Sequence, residues 1–248
     1  MGTFALTAST TASNTTAFGY LALHANTTGN GVAVGYAALD AQTTGDSNVA
    51  VGTNALTNST TASYNTAVGD QSLKLATTGG FNVAIGRQAG QSITTGSNTV
   101  AVGSGAMSQG TATGSENTIV GAAAGVFLTG GSNNSALGFT ALYKNTTGNN
   151  NVAIGKEALY ENTTGGSNVA VGFSALDVNT TGSNNTAIGA AALDANTTAS
   201  NNTAVGQNAL GGCTTGDSNV AVGMGAGMSF TTGNSLVAVG RDAAFNTT

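Results

Sequence analysis

Proline and tryptophan do not occur in this chain of 248 residues, and cysteine occurs once, at Cys213. The lack of proline excludes a collagen-like triple helix, which needs it beside a glycine at every third position. A single cysteine excludes a framework of disulfides within the chain. Charge is scarce as well: charged residues make up 6%, against the roughly 25% usual in soluble domains. The five Lys and Arg residues are scattered, so they make no basic stripe to neutralise nucleic-acid phosphates. With 40% apolar residues and a net charge of -5, the chain does not read as a solvated disordered tail. No apolar run approaches the roughly 20 residues of a membrane-spanning helix. The opening MGTFALTASTTAS has neither a cation nor an apolar core, so it does not read as a secretory signal.

What the chain has instead is glycine, 38 residues of it, and a strict repeat. A hydrophobe followed by Gly recurs with the Gly at 19, 35, 52, 69, 86, 103, 121, 138, 155, 172, 189, 206, 223 and 240. The spacing is 17 residues, except 16 before Gly35 and 18 before Gly121. Gly2 stands one further repeat upstream, so residues 1–248 read as a single array of about 14 coils with no separate domains.

Each column of the repeat has a physical reading. The invariant Gly suggests a turn with positive φ, or a backbone approach too close for a Cβ. Before it stand two hydrophobic or β-branched residues flanking one Ala, as in Val152-Ala153-Ile154 and Thr186-Ala187-Ile188, the pattern of a short strand. Repeated Gly and Thr-Thr pairs disfavour a helix. Four residues after the Gly stands Leu in ten copies, but Gly at 90, 125 and 227. In those three copies a hydrophobe appears three residues later, at Ile93, Leu128 and Phe230. Such compensation marks a packed interior, where lost side-chain volume is penalised.

A 17-residue period is too short for a helical solenoid and suits one coil of a parallel β-solenoid, so the expected fold class is all-β. Columns then become ladders. Asn precedes the strand in ten of fourteen copies, from Asn48 to Asn219. It serves either to bond amides along the stack or to cap a turn. If the flanking Val and Ile point inward, the strand Ala faces outward against a neighbouring chain. The alternative puts Ala in a narrow interior and the larger residues outside. Both leave an apolar column exposed, and both point to self-association, with a homotrimer favoured.

The strands NVAVG, NVAIG and NTAIG resemble the head repeats of trimeric autotransporter adhesins (YadA-like), and NTAVGQNAL with NTTG is similar to repeats of phage tail-fibre and bacterial surface proteins. The resemblance implies a left-handed β-roll with three chains side by side. It further implies an extracellular, cell-surface or virion location and a cell-surface glycan or receptor as partner. The expected function is that of a structural fibre protein, the shaft or head of a filament, adhesin or tail fibre. Uncapped ends of the array would let copies stack end to end.

No residue is assigned a catalytic, cofactor-binding or metal-binding role. His24 has no Cys or His at ligand spacing and reads as a turn or surface residue. Asp177 and Asp194 share a column one repeat apart. They read as solvated loop acids, with a polysaccharide-cleaving carboxylate pair as the rival. Cys213 occupies a slot that holds Asn or Ser elsewhere and reads as a surface or groove residue. Thr-Thr pairs recur in twelve copies, from Thr10-Thr11 to Thr231-Thr232, which makes an ice-binding solenoid the second reading. Asn-Thr-Thr also matches the N-glycosylation acceptor at Asn14, Asn26, Asn145, Asn162, Asn179, Asn196 and Asn246, with further matches at Asn58 and Asn184.

Overall fold

The computed structural model describes residues 2–245. The chain divides into two compact units, residues 1–123 and 124–248. The first carries β1 (Thr15–Phe18), β2 (Gly31–Val34), β3 (Asn48–Val51), β4 (Thr66–Val68), β5 (Val83–Ile85), β6 (Val100–Val102) and β7 (Thr118–Val120). The second carries β8 (Ser135–Leu137), β9 (Val152–Ile154), β10 (Val169–Val171), β11 (Thr186–Ile188), β12 (Thr203–Val205), β13 (Val220–Val222) and β14 (Val237–Val239). Within each unit, successive strands pair in parallel and in chain order. The fold is a β-solenoid with coils of about 17 residues, as the repeat requires.

The pairing register places Ala on Ala, for example Ala153 on Ala170 and Ala170 on Ala187, and Ala101 on Ile119 at the exception. Between strands the chain runs through consecutive turns, such as Ala175 N–H to the Gly172 carbonyl and Asn179 N–H to the Leu176 carbonyl. These turns also bond to the next coil: Leu176 N–H reaches the Ala192 carbonyl at 3.0 Å and Thr180 N–H the Thr197 carbonyl at 2.8 Å. The whole circuit is therefore stitched to its neighbour, not the strand alone.

At the invariant Gly, both expected reasons hold together. Gly155 has φ +130, and a Cβ there would lie 2.4 Å from the carbonyl oxygen of Gly172. Carbonyl and Cα of successive coils touch at this corner, and no side chain fits between them.

The structure decides which strand face is inside, and it is the Ala face. Ala33, Ala50, Ala153, Ala170 and Ala187 are fully buried, whereas Ile85, Ile154 and Ile188 are exposed. The arrangement with Ala facing outward is thereby corrected. The interior is filled from the opposite side by Leu23, Leu39, Leu56, Leu73, Leu142, Leu159, Leu176 and Leu193, all fully buried. Each of these Leu has positive φ, for instance Leu159 at 52° and Leu176 at 53°. That conformation costs about 1–2 kcal/mol in an L-residue. Burying the side chain offsets that strain by about 1.5–3 kcal/mol.

The Leu-to-Gly exchange works as expected. A Cβ on Gly90 would lie 3.0 Å from Leu73 Cδ2, 3.1 Å from Ile93 Cδ1 and 3.3 Å from Ala84 Cβ, so Ile93 occupies the volume that Leu fills elsewhere. Ile93 and Leu128 are fully buried, and Phe230 nearly so. The coil before uses the opposite choice, Leu73 with Ala76, both buried. Gly90→Leu alone should overpack the site and cost about 1–3 kcal/mol. Ile93→Ala alone should leave a cavity costing about 2–5 kcal/mol. The double variant, which copies the Leu73/Ala76 pair, should lie within about 1 kcal/mol of the parent in a denaturant-unfolding cycle.

Candidate functional site

Two ladders of buried amides hold the coils in step. In the ladder before the strand, the Asn185 backbone N–H donates to Asn168 Oδ1 at 3.0 Å, while Asn168 Nδ2 donates to the Gly182 carbonyl at 2.8 Å. The same pair of bonds recurs at Asn65, Asn82, Asn151 and Asn202. The side chains join backbone to backbone across coils, so both proposed roles are combined. Direct amide–amide bonds accompany them at Asn65–Asn48 and Asn185–Asn168, each 3.2 Å.

The second ladder lies seven residues after the corner Gly. Asn162 Nδ2 donates to Asn145 Oδ1, Asn179 to Asn162 and Asn196 to Asn179, each at 2.8 Å. These side chains are fully buried. The signal for this was present in the sequence: the same slot holds Ile93, Leu128 and Phe230, and a slot that accepts core hydrophobes is interior. A row of amides there is satisfied by bonds along the stack and to the carbonyl three residues on.

Cys213 stands in that slot and is fully buried, which corrects its expected surface placement. Its Sγ lies 3.5 Å from the Gly216 carbonyl, and burial pushes the thiol pKa up, away from the reactive thiolate. Because Cys213 has no amide to donate, Asn196 Oδ1 is left without a partner.

The buried ladder also settles the accessibility of the glycosylation matches. Asn26, Asn145, Asn162, Asn179 and Asn196 are fully buried, with their amide nitrogens bonded inside the coil. In the folded coil these amides are thus enclosed and already bonded. Asn14, Asn58 and Asn184 are exposed; Asn246 lies outside the described residues.

The Thr-Thr pairs divide in role. The first hydroxyl bonds to the equivalent backbone carbonyl one coil on, as in Thr163 to Thr180 and Thr180 to Thr197, both 2.9 Å. The second Thr, such as Thr164, Thr181 and Thr198, is exposed. Free hydroxyls therefore make one column rather than a two-dimensional array. His24 is partly exposed and pairs with Asp40 at 3.4 Å.

Asp177 and Asp194 lie in adjacent coils, joined by Val178 N–H to the Asp194 carbonyl at 3.3 Å. Partial burial, then Glu157, Glu161 and Asp194, push the Asp177 carboxyl up to about 6. Burial likewise raises Asp194. Glu161 is held by Lys144 at 2.7 and 2.8 Å, and Glu157 by Lys156 at 3.4 Å. Among the described residues, no three His, Cys, Asp or Glu side chains converge to hold a metal ion, and no helix is long and apolar enough to cross a membrane.

The outer face of the strands is an uncharged surface. Its two columns are the residues flanking the strand Ala, such as Val169 and Val171 or Thr186 and Ile188, and none of them is charged in any coil. Aromatic rings lie outside as well: of the 13 Phe and Tyr residues, Phe230 alone is buried. Rings in neighbouring coils stack, Tyr64 on Phe81 at 4.8 Å and Tyr143 on Tyr160 at 5.0 Å.

Cys213→Asn extends the buried ladder by one rung and supplies the donor that Asn196 lacks. It should stabilise the chain by about 1 kcal/mol, read as a rise of a few degrees in the thermal midpoint. Comparison with family models, with curated proteins and with solved structures returns no significant match.

Proposed function

We propose that the chain is a structural fibre protein, the shaft or head of an extracellular filament, surface adhesin or phage tail fibre. In this reading it is a left-handed roll that assembles side by side, three copies to a fibre. The observation that carries the reading is the outer sheet face. In a chain with 40% apolar residues and 6% charge, that face presents two columns of Val, Thr, Ile, Leu and Phe, with Ser at Ser135 alone. Ile154 and Ile188 are about 40% exposed and Leu137 53%. A contiguous uncharged patch on this scale marks a surface that another molecule covers. A second solenoid of the same repeat matches it coil for coil.

The function is mechanical. Coils bonded around their whole circuit resist local opening, and a fibre built from them projects its contact surface away from its source. The rival ice-binding reading lacks support, since the free hydroxyls form a single column. No catalytic residue, cofactor or metal enters the proposal.

The mass in solution tests it. Light scattering should give three times the chain mass of 23.8 kDa. Ile188→Lys with Val205→Lys, which places charge on the outer face, should reduce the assembly to monomers with an unchanged β-sheet circular dichroism spectrum. A monodisperse parent monomer would overturn the proposal.

A further inference from the structure

The second unit contains only three cations, and each is committed. Lys144 bonds to Glu161, Lys156 pairs with Glu157, and Arg241 lies 3.3 Å from Asp242. Asp177 sits between the coils that begin at Gly155 and Gly189. From the first it faces Glu157 and Glu161, and Tyr160 precedes it in its own column; from the second it faces Asp194. The backbone joins these coils at the same edge: Glu161 N–H donates to the Asp177 carbonyl at 2.8 Å, and Val178 N–H to the Asp194 carbonyl. The carboxyl is thus half-buried, with acidic residues in the coils on both sides and its backbone held by the bonds of the stack.

We propose that Asp177 is a proton-responsive joint of the second unit, whose neutral carboxyl tightens the stacking of the three coils beginning at Gly155, Gly172 and Gly189. The sign follows from the raised pKa of the carboxyl. In an opened stack Asp177 has the ordinary value of 3.8, and in the closed stack about 6. The closed stack therefore bears no penalty below about pH 4. The penalty grows up to about pH 6 and is complete above it. Mild acid closes the joint, and neutral pH loosens it. This device is independent of how copies assemble.

Hydrogen exchange on the full chain tests it, with protection corrected for intrinsic rates. Protection of the Glu161 and Val178 amides should rise threefold to about tenfold between about pH 7.5 and about pH 5. Val49 N–H, bonded to the Asn65 carbonyl in the first unit, should not change. Asp177→Asn should raise protection at about pH 7.5 towards the acid level, leaving only the smaller rise that the raised Asp194 gives. No rise in the parent chain, or the same rise in Asp177→Asn, would overturn the proposal. Should that variant fail to fold, Glu157→Gln provides the second reading: the midpoint of the protection change should fall, and an unmoved midpoint would overturn the proposal equally.

Discussion

The close passage of backbone over backbone at the corner glycine is the constraint on which every other feature depends. A Cβ at Gly172 would lie 2.5 Å from the Gly189 carbonyl oxygen, and one at Gly138 would lie 2.4 Å from that of Gly155. With the corners fixed in this way, each coil must lie on the next in register. Equivalent residues then meet, which is why a single favourable residue repeats down a column. Asn on Asn, Thr on Thr and Ala on Ala are consequences of one geometric condition.

That condition leaves an unusually narrow interior. Strand Ala meets Leu from the opposite wall, as the approach of Ala84, Leu73 and Ile93 to Gly90 displays. Large rings find no space inside except at Phe230, which enters where Gly227 has vacated its side-chain volume. Most aromatic residues and the residues flanking the strand Ala lie outside, although Ile93, Ile119 and Val126 are buried. The outer sheet face is apolar, and the proposed association between copies would remove that face from water.

Inside such a channel the buried amides form continuous rows. Asn145, Asn162, Asn179 and Asn196 bond to one another because each has an equivalent amide in an adjacent coil. Where the row breaks, an unpartnered atom appears, as at Asn196 Oδ1 beneath Cys213 and at the Ser59 hydroxyl; the Ser72 hydroxyl, in the column that otherwise holds Ala, is likewise unpartnered. On the rim, solvent and lysines relieve most of the charges, but Asp177 has neither in full.

The period, the parallel strands, the invariant corner and the exchange of Leu for a later hydrophobe were all legible in the chain, since each is a statement about spacing. The interior position of the Asn-Thr-Thr amides and of Cys213 was legible in principle, because Ile93, Leu128 and Phe230 share their slot. Turn-like composition outweighed that signal. Which strand face lies inside was not legible. Alternation at period two separates Ala153 from Val152 and Ile154 but assigns neither side to the core. Only the width of the closed coil decides between them, and that width is set by three-dimensional closure around the buried leucines. By itself the sequence determined the repeat and its stacking; the tertiary structure alone decided what the stack conceals and what it presents.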